Sequence, residues 1–222
     1  MKDSDLGIKY ASFKKGWDLS FNYFYHYLDS PILYQDVNGF NIEINAHYER
    51  SHLLGATATK AFNNLTLRTE IGYSSDSFHL LNSIPSNLKG SLSDVNRGIK
   101  NSAELASVVG FDWQGLSDTL ISIQWFQSFL FDYHDDLVRS KNNHSVSLLY
   151  RQTFENEVWE FQTLTINDLN NNDGVLQVDL SYQWQDNFKI LFGYDHFYGS
   201  KKGLFGQFSD INRMTVSFEW GI

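Results

Sequence analysis

The final stretch of the chain constrains the fold more than any other, because apolar and polar residues alternate along it without interruption. Apolar side chains occupy every second position, at Met214, Val216, Phe218, Trp220 and Ile222. The positions between them carry Thr215, Ser217, Glu219 and Gly221. A period of two predicts an extended strand with one apolar face and one polar face. The apolar face of such a strand must lie against lipid or against a protein core.

The same alternation recurs along the chain. It runs through residues 17–27, 39–48, 65–73, 105–113, 119–129, 176–184 and 188–194. Residues 156–168 are less regular, with Trp159 and Phe161 on one face and Val158, Leu164 and Ile166 on the other. No segment of comparable length shows the 3.6-residue period of a helix. We therefore predict an all-β chain of about 11–12 antiparallel strands.

Strand length favours a membrane-spanning barrel. The alternating segments contain about ten residues, whereas strands of soluble proteins average about 5–6 and tilted membrane-spanning strands need about 9–11. The apolar final residue is typical of the closing strand of a bacterial outer-membrane barrel, and the chain has no apolar run long enough for a helical span. We therefore predict an antiparallel transmembrane β-barrel, formed by residues 1–222 as one domain and located in the bacterial outer membrane.

Composition and motifs narrow the function. Charged residues make up 19% of the chain, below the ~25% of soluble domains, and the net charge of −9 argues against nucleic-acid binding. No phosphate-binding glycine loop, zinc spacing or dinucleotide fingerprint occurs, so we predict no cofactor. The partners expected of an outer-membrane barrel are lipid and lipopolysaccharide. The barrel-assembly machinery is expected to recognise residues 214–222, whereas the sequence leaves the oligomeric state open.

The connections between the predicted strands alternate in length, as they do in outer-membrane barrels. Short turns are expected at 63–64, 114–117, 154–156 and 185–186, and outer connections at 75–101, 131–142, 170–174 and 199–210. Treating 39–62 as one strand preserves this order and gives about eleven strands, whereas bacterial single-chain barrels have even numbers. We therefore expect the C-terminal part of a larger barrel, truncated at its N-terminus. The alternative is a complete twelve-stranded barrel in which 39–62 is a tight hairpin.

Two regions carry a resemblance to a known family. The first contains residues 190–199, 203–208 and 212–213, which read ILFGYDHFYG, GLFGQF and NR. The second contains residues 48–55 and 67–70, which read YERSHLLG and LRTE, together with Tyr73. Both resemble an uncharacterised family of Gram-negative outer-membrane β-barrel proteins, a domain of unknown function related to alginate-export-type porins. The resemblance implies a longer barrel that acts as a passive or selective channel, without catalytic residues.

Charged residues of both signs fall on the polar faces of the predicted strands. They are Asp18, Glu43, Arg68, Glu70, Glu104, Asp112, Arg151, Asp179, Lys189, Asp195, Arg213 and Glu219. If the apolar faces meet lipid, these side chains line a wet lumen, where opposed charges filter ions and small polar solutes. Arg68 and Glu70 share one face of a strand and are expected to join one network. The alternative is that the charges pair with their neighbours and only stiffen the wall.

Tyrosine and tryptophan residues lie near the predicted strand ends. The candidates for aromatic girdles at the two membrane interfaces are Trp17, Tyr27, Tyr48, Tyr73, Trp113, Trp184, Tyr198 and Trp220. The alternative is aromatic packing in the core of a soluble sheet.

The predicted function is a porin-like channel for passive passage of small polar or amphiphilic solutes. Loop 75–101 carries Phe78, Leu80, Leu81 and Ile84 and is expected to fold inward and narrow the pore. The alternatives are a soluble β-barrel that binds a ligand and, less favoured, a barrel hydrolase. The adjacent pairs His144-Ser145 and Asp195-His196 point to opposite faces of a strand, so neither can form a catalytic couple, and we predict no enzyme activity. The acidic residues around His134 are interpreted as a solvated loop, not as a metal site.

Overall fold

The computed structural model describes residues 4–38, 41–82 and 97–221, which form β-strands joined by turns and loops. The strands are β1 (Leu6–Lys14), β2 (Trp17–Tyr27), β3 (Ile32–Asn38), β4 (Asn41–His47), β5 (Arg50–Phe62), β6 (Leu65–Leu80), β7 (Ile99–Trp113), β8 (Thr119–Leu130), β9 (Asn142–Phe154), β10 (Trp159–Asp168), β11 (Asp173–Gln185), β12 (Phe188–Tyr198) and β13 (Arg213–Trp220). A 3₁₀ helix of one turn, Gly206–Phe208, lies between β12 and β13. The prediction of an all-β chain is confirmed.

Eleven strands form one sheet in the order β1-β2-β5-β6-β7-β8-β9-β10-β11-β12-β13. The pairing is antiparallel, as between β10 and its neighbours β9 and β11. Strands β3 and β4 form a separate hairpin, inserted between β2 and β5. No pairing of β1 with β13 closes the sheet among the described residues. The large antiparallel sheet is thus confirmed, whereas closure into a barrel stays a prediction.

Residues 39–62 do not form the single strand that the sequence predicted. Strand β4 ends at His47 and β5 begins at Arg50, and β4 pairs with β3 instead of joining the large sheet. The Glu49 carbonyl accepts a hydrogen bond of 2.8 Å from the Leu28 amide. This contact aligns the start of β5 with the end of β2, so the hairpin β3–β4 is an excursion from the sheet.

Strands β6 and β7 extend further into the predicted loop 75–101 than expected. Strand β6 continues to Leu80 and β7 begins at Ile99, so Phe78 and Leu80 are strand residues. Leu81 forms an isolated bridge with Leu137. Residues 83–96, which include Ile84, lie outside the described residues, and the inward-folding constriction stays a prediction.

Successive connections of the large sheet leave from opposite ends of its strands, because neighbouring strands are antiparallel. We call one end the turn end, where the connections are 15–16, 63–64, 114–118, 155–158 and 186–187. The other is the loop end, with connections 28–49, 81–98, 131–141, 169–172 and 199–212. The two-residue turn between β1 and β2 has φ of 51° at Lys15 and 79° at Gly16. Positive φ at both central residues is typical of the type I′ turn, whose twist matches that of the flanking strands.

The chain divides into two compact units. Unit 1 comprises Met1–Ala58, Glu70–Ser107 and Ser128–Asn143. Unit 2 comprises Thr59–Thr69, Val108–Gln127 and His144–Ile222. Unit 1 contains β1, β2 and the hairpin β3–β4, and unit 2 contains β10 to β13.

Candidate functional site

The two faces of the sheet differ in exposure, and they do so in the opposite sense to a soluble protein. In unit 2, Phe192, Val216 and Phe218 are 48%, 59% and 66% exposed. The register aligns Phe192 with Leu180 and Val216 across three strands, so these residues share one face, the apolar face. The opposite face, the polar face, carries Ser181, which is only 6% exposed. Large apolar side chains are therefore open to the surroundings while small polar ones are covered.

The same inversion occurs in unit 1. Ser20, Ser51 and Ser102 are buried, whereas Phe21 and Leu54 are exposed. The Ser20 and Thr57 hydroxyls lie 2.8 Å apart and share a hydrogen bond on the polar face. Among all the described residues, the buried apolar side chains are Leu130, Leu137 and Val175. A conventional apolar core is thus not what holds the described strands together.

Glu104 is the centre of a polar cluster in unit 1. Its carboxylate accepts hydrogen bonds from Ser77 at 2.6 Å and from Ser128, and it forms an ion pair with Arg139 at 2.9 Å. Arg139 also donates to the Ser128 hydroxyl at 2.5 Å. His79 Nε2 lies 3.7 Å from the carboxylate and has no hydrogen-bond partner among the described residues. The cluster joins β6, β7 and β8 to the connection that follows β8.

The Glu104 cluster contains the residue types of a hydrolase but not the required contacts. A serine nucleophile needs a histidine within hydrogen-bond reach, and that histidine must in turn be oriented by an acid. Here Ser77 and Ser128 both donate to Glu104. His79 lies beside the same carboxylate and forms no hydrogen bond with either serine among the described residues. The Glu104 carboxylate therefore binds the serine hydroxyls directly, where a hydrolase would place its histidine base.

Unit 2 contains two further ion pairs on the polar face. Asp195 is 8% exposed and accepts hydrogen bonds from Arg213 Nε at 2.7 Å and from Gln177 at 3.0 Å. Arg68 pairs with Asp112 at 2.7 Å. The predicted candidates Arg68, Asp112, Asp195 and Arg213 thus find partners, and these partners lie on neighbouring strands. Such pairing is expected if the charges only stiffen the wall of the sheet. It also leaves fixed charges of both signs on one face.

A recess of about 620 Å³ lies on the polar face near the turn end. Arg151 and Lys189 line it together with Glu160 and Ser181. Neither Arg151 nor Lys189 forms an ion pair with any residue that the structure describes. The recess therefore presents two cations that form no ion pair with a described residue, beside the Glu160 carboxylate.

The remaining charged candidates are spread more widely. Asp179 and Glu219 are exposed on the polar face of β11 and β13, and Glu219 is the register partner of Lys189. Asp18 and Glu70 are exposed in β2 and β6, and Glu70 forms no ion pair with a described residue. Glu43 belongs to β4 and hence to the separate hairpin, so its predicted place on the large sheet is wrong. The error follows from reading 39–62 as one strand.

Most of the predicted girdle residues lie at strand ends. Of the predicted girdle residues, Trp17, Trp113, Trp184 and Trp220 lie at the turn end, and Tyr27 and Tyr198 lie at the loop end. Tyr73 is in the middle of β6 and packs edge-on against Phe131 at 5.9 Å, so its predicted position near a strand end is wrong. Tyr48 lies between β4 and β5, outside any strand.

The structure adds aromatic residues that the sequence interpretation omitted. Phe62, Phe154, Trp159 and Phe188 begin or end strands at the turn end. In unit 2, Phe154 stacks on Trp159 at 6.4 Å, and Phe188 contacts both Phe218 and Trp220 at 6.1 and 6.3 Å. Their place beside a short turn could have identified them. Together these residues and Trp113, Trp184 and Trp220, all of unit 2, form what we call the aromatic row of the turn end.

The hairpin β3–β4 is held at the loop end of unit 1 by Arg97. The guanidinium donates to both carboxylate oxygens of Asp36, at 2.7 and 2.6 Å, and lies 4.6 Å from the centre of the Tyr34 ring. The Gln35 amide donates to the Arg97 carbonyl at 2.8 Å. Hydrogen bonds from Arg97 lower the pKa of Asp36. Burial and the hydrogen bond to Glu49 raise the pKa of Tyr34 to about 12.

Within residues 4–38, 41–82 and 97–221, no group of three or more histidine, cysteine and acidic side chains is arranged to hold a metal ion. Near His134, the Asp132 carboxylate pairs with Lys100 at 2.6 Å. No helix in the described part of the chain is both long enough and apolar enough to cross a membrane.

Comparison with protein families and with curated proteins gives no match. No protein-family model matches the chain, and the search of curated proteins finds no significant relative. The resemblance to alginate-export-type porins thus stays a prediction that rests on the residues quoted above.

Proposed function

We propose that the chain forms the wall of a porin-like channel in a bacterial outer membrane, through which small polar or amphiphilic solutes pass without energy input. The observation that carries this proposal is the inverted exposure of the sheet, with Phe218 66% exposed and Ser181 6% exposed. In water, an apolar face of this extent is unfavourable, at roughly 25 cal/mol for each Å² exposed. In a bilayer, exposure of the same apolar face to lipid is favourable.

Strand length supports the proposal. The strands of the large sheet contain between 8 residues, in β13, and 16 residues, in β6. A tilted strand needs about 9–11 residues to cross the hydrocarbon layer. The aromatic row of the turn end, with Trp113, Trp184 and Trp220, is where an interfacial girdle is expected. The longer connections, including the hairpin β3–β4, would then face the cell exterior.

The polar face supplies the chemistry of the proposed lumen. Fixed pairs such as Arg68–Asp112 and Asp195–Arg213 place opposite charges on neighbouring strands. Charges of this kind produce a field across a pore and select among ions and polar solutes. Arg151 and Lys189 add cations that are free of described ion pairs, near the turn end.

A membrane barrel must have no open edge, since lipid cannot satisfy unpaired backbone groups. Strands β1 and β13 are the two edges of the described sheet. The proposal therefore includes additional strands that complete the wall and places these eleven strands in the C-terminal part of a larger barrel. It also includes recognition of the last strand by the barrel-assembly machinery, with lipid and lipopolysaccharide around the finished wall.

Liposome swelling tests the channel. The purified full-length protein, reconstituted into liposomes, is expected to let arabinose enter and to swell them, whereas protein-free liposomes do not swell. Replacing Glu104 by glutamine removes a negative charge from the polar face and is expected to lower the permeability ratio of cations to anions in planar bilayers. Asp210→Asn, at an exposed pair with Lys201, is the control.

Solubility separates this proposal from a soluble ligand-binding barrel. The channel requires detergent or lipid to stay folded and dispersed. A protein that is folded and monodisperse in plain buffer, and that is inactive in liposome swelling, would refute the channel. Hydrolysis of nitrophenyl esters that is lost in Ser128→Ala would instead support the hydrolase alternative.

A further inference from the structure

A second recess lies on the polar face of unit 2, towards the loop end. Its volume is about 660 Å³, within the ~300–1,000 Å³ typical of small-molecule sites. Six of its lining residues are apolar: Phe126, Leu149, Leu164, Ile166, Leu204 and Phe205. The register places Leu164 opposite Leu149, and Ile166 opposite Ser147, across β9 and β10. The irregular apolar pattern of residues 156–168 is thus explained, because Leu164 and Ile166 line this recess.

The polar side chains of the recess are all uncharged. They are Ser122, Gln124, Ser145, Ser147 and Gln162. Ser122 is 4% exposed, and its hydroxyl has no hydrogen-bond partner among the described residues. A buried hydroxyl without a partner costs free energy unless another group satisfies it. A ligand hydroxyl or amide in the recess would supply the missing hydrogen bond.

The connection 199–212 provides one wall of the recess. Asp173 is 1% exposed, and its Oδ2 accepts hydrogen bonds from the amides of Phe205 and Gly206 at 2.7 and 2.9 Å. A side chain at Gly203 would lie 2.2 Å from the Asp173 carboxylate carbon, so only glycine permits this close approach. The buried carboxylate therefore holds Leu204 and Phe205 in place over the polar face.

We propose that this recess binds neutral amphiphiles, namely solutes with an aromatic or alkyl body and an uncharged hydroxyl-bearing head. The apolar residues accommodate the body, and Ser122 together with the glutamines and serines binds the head. An ionised head is disfavoured because no charged side chain lines the recess and burial of an unpaired charge is costly. The inference rests on the proposed channel, for which it names the preferred solute class.

Three probes separate the parts of the proposal. 4-Nitrophenyl β-glucoside combines an aromatic body with a neutral head, 4-nitrophenyl β-glucuronide carries an anionic head, and methyl β-glucoside has no aromatic body. Binding to the full-length protein in lipid nanodiscs is measured by saturation-transfer NMR, with empty nanodiscs as the blank. The expected order of affinity is nitrophenyl glucoside first, with the other two weaker by about tenfold or more.

Two substitutions test the location. Leu164→Trp places a bulky ring where the aromatic body of the ligand would lie and is expected to weaken binding of the nitrophenyl glucoside by at least about tenfold. Ser122→Ala removes one hydrogen bond and is expected to cost about two- to tenfold. The matched control is Leu191→Trp, at a half-buried leucine of the same face that does not line this recess, and it is expected to leave binding unchanged.

Liposome swelling with methyl β-glucoside provides the second readout. Wild type and all three variants are expected to swell at similar rates, because that solute does not need the recess. If they swell but Leu164→Trp and Leu191→Trp bind the nitrophenyl glucoside as wild type does, the recess proposal is overturned and the channel stands. If wild type and variants all fail to swell liposomes, the channel proposal itself fails. Equal affinity for the glucoside and the glucuronide would refute selection for a neutral head.

Discussion

The buried carboxylate of Asp173 is expected to control the order of the connection 199–212. It accepts two backbone hydrogen bonds at the start of the short helix Gly206–Phe208. Hydrogen bonds to a charged group contribute about 1.5–3 kcal/mol each. Since burial of the carboxylate offsets part of this gain, Asp173→Ala is expected to lower the local unfolding free energy by about 2–4 kcal/mol.

Hydrogen exchange measures this effect directly. A loss of about 2–4 kcal/mol corresponds to exchange of the Phe205 and Gly206 amides that is about 30- to 700-fold faster. Asp210→Ala is the matched control, because Asp210 lies in the same connection but makes an exposed pair with Lys201, which contributes little. Equal protection of the two amides in Asp173→Ala and wild type, with the fold intact, would refute the anchoring role.

Two further predictions concern the apolar face and the hairpin. Leu180→Arg, on the apolar face, is expected to lower the free energy of unfolding in lipid vesicles by about 2–4 kcal/mol, whereas Asp179→Arg, one residue away on the polar face, is expected to lower it much less. Urea titration followed by gel mobility measures the stability of both variants. Equal losses in the two variants would contradict the assignment of faces. The pKa of Asp36 is lowered in the folded state, so its stabilising contact with Arg97 is complete above the ordinary aspartate pKa and is lost as the pH falls through the lowered value. Protection of the Gln35 amide from hydrogen exchange should therefore persist from neutral pH to about pH 4 and disappear in stronger acid. The Asp36→Asn variant should lose this protection at every pH. Unchanged protection in that variant would show that the contact between Asp36 and Arg97 does not hold the hairpin.

The alternation of side chains was sufficient to predict most strands of the large sheet, because a sheet with two different faces imposes a period of two. It was not sufficient at Tyr48 and Glu49, where the polypeptide leaves β4 and enters β5 without a glycine or proline. It also missed the ends of β6 and β7, where serine-rich sequence resembles a loop. There, backbone pairing and contacts such as Ser77 with Glu104 extend the strands.

The polar clusters could be predicted only in part. The sequence identified Glu104 and Arg68 as residues of the polar face, but not their partners, because partners depend on strand register. Arg68 and Asp112 are 44 residues apart, and Glu104 and Arg139 are 35 residues apart. The recess near Leu164 was visible only as an irregularity in an alternating pattern. Its meaning required the register of β9 with β10 and the position of Phe205.

Site-directed spin labelling tests the direction of the apolar face most directly, and the absence of cysteine makes the chain suitable for it. Single cysteines are introduced in turn at residues 189–192 and 194 of β12, labelled, and measured in lipid vesicles with oxygen and a water-soluble nickel complex as relaxants. We predict that labels at Ile190, Phe192 and Tyr194 are accessible to oxygen, and that labels at Lys189 and Leu191 are accessible to nickel. The opposite alternation, or uniform exclusion of both relaxants from positions 190, 192 and 194, would contradict a lipid-facing sheet.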